Sequence, residues 1–272
     1  MPDGSAPGNA DLLTGDLELA GRITTASNAT FLAHIEGVPV VYKPIRGEKP
    51  LWDFPDGNLA HREVAAYLVS EALGWNLVPR TWLRDGPLGT GMVQLWQDID
   101  PEQDAVDLVL TADLPGRGSG DGPAPAPGWR TVLEGYDEDD HPVALVHEDS
   151  ATLRRLAVFD VIANNADRKG AHVLAMPDGH RFGVDHGLTF HTEPKLRTVL
   201  WGWIGEPLAA DELAGAERVS EQLALGPLGE ALTELLTADE IDAFALRCER
   251  LTREARFPEP QGRMPATPWP LF

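Results

Sequence analysis

The chain has a single cysteine, Cys248, in 272 residues, so it can close no internal disulfide and build no zinc site from several cysteines. A lone thiol on a helix reads as a small buried hydrophobe. No apolar run reaches the roughly eighteen residues that a membrane span needs. The opening residues, "MPDGSAPGNADLLTGD", lack the basic-then-apolar layout of a signal peptide. These absences make a cytoplasmic protein the expectation. Positive charge is also scarce: 22 basic residues stand against 43 acidic ones, a formal net charge of −21. A surface so acidic repels nucleic acid and bare anionic membrane, and neither is expected as a partner. Lysine is scarcest of all. Only Lys43, Lys49, Lys169 and Lys195 occur, and a compact ammonium does work that a planar guanidinium does not.

A hydrophobic content of 43% is enough for one large domain or for two lobes sharing a cleft. Residues 17–44 read as three short strands, with turns at Thr24–Ala29 and Glu36–Gly37. Asn58 caps a helix over Leu59–Leu73 that Gly74 ends, and this helix is apolar nearly all round, as a sandwiched helix is. Strands are expected at Arg80–Leu83 and Met92–Gln97, joined by "RDGPLGTG". Residues 113–128 are low in complexity and read as a mobile loop. A helix over Ala151–Asn164 follows, then a hairpin turning at Asp178-Gly179. Thr237 and Glu240 form a capping box before a last helix that runs through Glu254. His141 and His147 flank a short apolar strand and read as structural or exposed, and Trp201 and Trp203 read as core. The expected organisation is a strand-rich part, 1–98, and a helix-rich part, 99–272.

The stretch that carries chemistry is Ala163–His191, "ANNADRKGAHVLAMPDGHRFGVDHGLTFH". Asp167 precedes the hairpin and Asp185 ends it, so chain reversal brings both acids to one edge. Two carboxylates facing a cleft can divide labour, one holding a divalent cation and one orienting a proton, as phosphoryl transfer requires. Surface turns are the common alternative use of aspartate. Lys43 ends the strand-like "VPVVYKP", and Glu63 lies on the near-wholly apolar helix. A carboxylate in that setting needs a cation, because an unpaired buried charge costs several kcal/mol.

Read in order, Lys43, Glu63, "DRKGAH" and "VDHG" resemble the atypical kinase layout of the phosphatidylinositol 3- and 4-kinases and, more distantly, of the HipA-type kinases. The nearest resemblance is to a mainly actinobacterial group of phosphoinositide-kinase-like proteins. It covers Leu17 to Trp203 and is strongest over "VYKPIRGEKPLWDFPDGNLAHREVAAYLVSEALGW". It implies a two-lobed α+β kinase-like fold, ATP with Mg2+ or Mn2+ in the cleft, and transfer of the γ-phosphoryl group to a hydroxyl of a small metabolite or a protein. Lys43 then resembles the phosphate-binding lysine, Glu63 its helix partner, Asp167 the catalytic aspartate and Asp185 the metal-binding aspartate. Ser27 and Thr30 fall in the turn over the phosphates, and Gln94, Leu95 and Trp96 where adenine is held. His172 stands where the family has a metal-binding Asn, and it becomes the second metal position. Two other readings stay open. One is a nucleotide-binding regulator without transfer. The other is a metal-dependent hydrolase built on His172, His180, Asp185, His186 and His191.

Overall fold

The computed structural model describes residues 9–24, 28–54, 58–114, 126–261 and 265–272. A short helix, α1 (Asn9–Thr14), leads into β1 (Leu17–Arg22), β2 (Phe31–Ile35) and β3 (Val38–Pro44). With β4 (Thr81–Gly86) and β5 (Gly89–Leu95) they form an antiparallel sheet of order β1-β2-β3-β5-β4. Alternation along β3 decides the faces. Val40 and Tyr42 pack with Ala33, Ile35 and Val93 into one small core. Lys43 is thereby turned to the opposite face, toward the next helix.

That helix, α2 (Leu59–Leu73), is buried on almost every side. Ala60 and Val64 meet Met92 of the sheet, while Val69 and Leu73 join Leu77, Leu153 and Val219 in the main core. A helix gripped by two cores has no polar face to show, which explains its uniform apolarity. Its two internal charges are both satisfied: Arg62 by Glu240 and the Thr189 carbonyl, Glu63 by Lys43. The Asn58 side chain caps it by accepting the His61 N–H. The Glu48 carboxylate accepts the next two orphan donors, from Leu59 at 2.9 Å and Ala60 at 2.8 Å.

The segment expected to be a loop, "RDGPLGTG", is mostly strand. β4 and β5 pair out to Gly86–Gly89 and turn through Pro87 and Leu88. Its glycines serve close approach: a Cβ on Gly91 would stand 2.5 Å from the Lys43 carbonyl, and one on Gly86 2.9 Å from the Tyr42 ring.

The second part is less helical than its sequence suggests. β6 (Val106–Leu110), β7 (Trp129–Tyr136) and β8 (Pro142–Glu148) make an antiparallel sheet of order β6-β8-β7. Only β8, between His141 and His147, was legible. The low-complexity stretch separates β6 from β7, and its residues 115–125 lie outside the described ones. Then α3 (Ala151–Ala163) leads to the hairpin β9 (Val173–Ala175) and β10 (Arg181–Gly183), which turns with Gly179 at φ +85°. The helices α4 (Ala210–Leu225), α5 (Pro227–Thr233) and α6 (Ala238–Glu254) close the fold, α6 with the expected capping box. Trp203 and Cys248 are fully buried in the main core. Among the described residues no helix is long and apolar enough to cross a membrane. The architecture is α+β, with a cleft where β3, α2 and the hairpin's two ends meet.

Candidate active site

Three elements deliver charge to one point. From β3, Lys43 Nζ lies 2.6 Å from Glu63 Oε1 on α2 and 2.8 Å from Asp185 Oδ1 beyond β10. Burial alone would push the Lys43 ammonium down, but the Asp185 and Glu63 carboxylates overcome it and hold the pKa above the ordinary lysine value. The same lysine holds Asp185, whose side chain is 53% exposed, well below the usual carboxylate range. The second oxygen of Glu63 accepts the His186 backbone N–H at 2.9 Å, which ties α2 to the Asp185 segment. Asp185 itself sits at φ +60°, a left-handed conformation rare for a side-chain-bearing residue. Strain of this kind concentrates where a side chain must be aimed.

Asp167 reaches the same cavity, about 180 Å3 in volume, which Thr30, Lys43, Lys49, Glu63 and Asp185 also line. Its Oδ2 is 3.3 Å from Lys169 Nζ. Burial raises its pKa, with Lys169 opposing. The loop that carries it is locked from beneath. Arg168, fully buried, makes a salt bridge to buried Asp160 at 2.9 Å and donates to the His172 and Val184 carbonyls. Asn165 accepts the Asp167 N–H and donates to Asp160. One buried network therefore holds the loop before the hairpin and both of the hairpin's ends.

His172 occupies the position between the two acids. Its Nδ1 lies 2.9 Å from the Asp167 carbonyl, which can only accept, so Nδ1 carries the proton. Burial lowers its pKa to about 4 despite the pull of Asp185, so the ring is neutral at pH 7. Nε2 then presents a lone pair to Asp185 Oδ2 at 3.5 Å. Two acceptors face each other there without a donor between them. This donor set fits a divalent cation held by one carboxylate oxygen and one imidazole nitrogen, completed by ligands from outside the protein.

Of the other residues singled out from the sequence, Thr30 is buried and lines the cavity. Ser27 lies outside the described residues. Gln94, Leu95 and Trp96 do not line this cavity. Gln94 is turned to Thr81 Oγ1 at 2.8 Å, and Leu95 packs on the small core of the sheet's far face. Trp96 is half exposed, with its indole N–H on Asp98. The backbone donors of Leu95 and Trp96 are taken by the Arg80 and Pro39 carbonyls. Gln94 shares the sheet face of Lys43 and Met92, whereas Val93 and Leu95 lie on the other. The four clustered histidines also part company. His180 bonds the Asn76 carbonyl, His186 is buried against Arg168, and His191 packs edge-on to Phe54. Among the described residues, no three His, Cys, Asp or Glu side chains gather as a metal cage. Sequence reasoning missed Arg168 and Asp160. An arginine between two polar neighbours gives no sign of being fully buried, whereas the scarcity of lysine did point toward Lys169.

No family model matches the chain. Protein Rv2133c of Mycobacterium tuberculosis is 50% identical over 271 residues, covering 97% of this chain and 95% of that one. Among solved structures, the Helicobacter pylori proinflammatory kinase CtkA is similar at 9% identity with a TM-score of 0.49, over 90% of this chain and 94% of CtkA. A Shewanella oneidensis complex of HipA, HipB and its operator DNA contains a chain similar at 12% identity, TM-score 0.38, over 87% of this chain and 65% of that one.

Proposed function

The chain belongs to the family of the mycobacterial Protein Rv2133c, and we propose that it is an ATP-dependent phosphotransferase that moves the γ-phosphoryl group to a hydroxyl. The observation that carries this reading is Lys43 bridging Glu63 and Asp185 in a cavity that Asp167 also lines. Phosphoryl transfer is catalysed mostly by positioning and charge neutralisation, and this cavity supplies both. Lys43, fixed by Glu63, binds the nucleotide's phosphates. Asp185 and His172 would hold Mg2+ or Mn2+, whose chemistry there is neutralisation of phosphate charge. Asp167 orients the acceptor hydroxyl and takes its proton as the oxygen bonds to the γ-phosphorus. The bond from that phosphorus to the β,γ-bridging oxygen breaks, and ADP leaves. The raised pKa of Asp167 suits it to accept a proton.

A nucleotide-binding regulator without transfer is the second reading, favoured by His172 standing at the position of a metal-binding Asn. Turnover of radiolabelled ATP by purified protein with either metal, in wild type and Asp167→Asn, separates the two. Label transfer or ATP hydrolysis lost in the variant supports the enzyme, and ATP binding with no turnover in wild type supports the regulator.

A further inference from the structure

All four lysines of a chain carrying a net charge of −21 stand in or beside the cleft. Lys43 and Lys49 line the cavity, Lys169 pairs with Asp167, and Lys195 lies 3.5 Å from Asp53 in the turn next to Leu51. The Lys195 ammonium is also 5.6 Å from the Trp52 ring centroid and 5.7 Å from that of Phe54, so it is fixed at the rim and not left to wander. Two residues further on is Arg197, on a segment that runs beside the Asp167 loop. Its N–H bonds the Asn165 carbonyl at 2.9 Å, and its carbonyl accepts the Arg168 N–H at 3.0 Å. Arg197 Nε donates to the Ala166 carbonyl at 2.7 Å. Among the described residues no carboxylate pairs with this guanidinium, and neither of its Nη groups has a hydrogen bond. Its charge nonetheless acts on Asp167.

One bond from Nε would be enough to tie the two segments together. A free Nη fork on a guanidinium anchored at the Ala166 carbonyl, one residue before Asp167, has a further use, because that fork matches phosphate and carboxylate. A neutral acceptor would gain nothing from it. An anionic acceptor needs it, since the rest of the protein repels anions. Resting on the phosphotransferase reading, we infer that the acceptor is a small soluble hydroxyl compound bearing a phosphate or carboxylate, which Arg197 grips next to Asp167 with Lys195 as second cation.

Inorganic phosphate is the probe, added to full-length protein already saturated with a non-hydrolysable ATP analogue and Mn2+. Analogue binding is measured first and separately, so loss of that step marks failure of the phosphotransferase reading and not of this one. With the analogue in place, calorimetry or 31P line broadening should show saturable phosphate binding, weakened about tenfold or more in Arg197→Gln and less in Lys195→Gln. Analogue affinity should be unchanged in both variants. No phosphate binding to the loaded wild type, or equal binding in Arg197→Gln, overturns the inference. Vesicles of phosphatidylcholine with phosphatidylinositol 4-phosphate distinguish the source of the anion. No sedimentation with them is expected, and sedimentation that Arg197→Gln abolishes would overturn the assignment to a soluble compound.

Discussion

Lys43 and Asp185, 142 residues apart in sequence, meet at 2.8 Å across the cleft. The contact joins the sheet to the hairpin, and Glu63 completes it from α2, so three elements are locked by one ammonium. Any nucleotide phosphate entering the cavity meets a lysine already aimed and charged, which lowers the reorganisation needed on binding.

Lys43→Ala should therefore lower ATP affinity or turnover tenfold or more, about 1.4 kcal/mol or above. Lys43→Arg should rescue little, because a planar fork cannot sit between two carboxylates fixed for a compact ammonium. Calorimetric ATP titration with steady-state turnover checks both variants. Removing the lysine also strands buried Glu63, so melting temperatures must accompany the binding data.

The two aspartates should fail in different ways. Asp167→Asn should abolish transfer while ATP and metal still bind, since its role faces the acceptor. Asp185→Asn should lose the metal-dependent part of nucleotide binding. Wild-type turnover in both variants would mean that the acids only shape the loops.

His172 offers a nitrogen ligand that manganese tolerates better than magnesium. Turnover should be higher with manganese, and His172→Asn should shift the preference toward magnesium. Because its pKa is lowered to about 4, the ring stays neutral through the ordinary histidine range. No titration near 6.5 should appear in the turnover profile, and ligation should fail only as pH approaches about 4. Asp167 shapes the same acid limb: its pKa is raised, so activity should climb with pH from above the ordinary carboxylate value of about 3.9. Identical metal preference and pH profiles in wild type and His172→Asn would remove the ligand role.

Stability should also fall with acid, through His147. Its Nδ1 donates to the Glu148 carbonyl at 2.8 Å in either protonation state, but its Nε2 accepts the Gly202 N–H at 3.0 Å, and that contact requires the neutral ring. Burial lowers its pKa to about 4. The unfolded chain, with an ordinary value near 6.5, then binds more protons than the folded one between those limits. The contribution is fully present above pH 6.5 and is lost as pH falls toward about 4, at most about 3 kcal/mol for one such histidine. Denaturant midpoints measured from pH 7 to 4 should decline in wild type and decline less in His147→Gln.

Much of this was legible in the chain, for reasons that can be named. The strands of residues 17–44 show through alternation, and α2 through its cap and its Gly74 stop. Asp167 and Asp185 were placed together by a single strong hairpin signal. What stayed hidden depends on tertiary burial. Arg168 and Asp160 look like surface residues until the fold encloses them, and the β6–β8 pairing spans a long low-complexity stretch. Leu95 was assigned to the cleft by position along the chain, yet its side chain packs on the sheet's far face. Facing is decided by strand register, and β5 has its register set by β3 and β4 together.

The most direct measurement is calorimetric titration of a non-hydrolysable ATP analogue into wild type and Asp185→Asn, each with and without Mn2+. Saturable binding in wild type that strengthens with the metal, and that loses this strengthening in Asp185→Asn, is the expected result. Absence of analogue binding in folded wild type, or an unchanged metal effect in the variant, would contradict a nucleotide–metal cleft at Lys43 and Asp185.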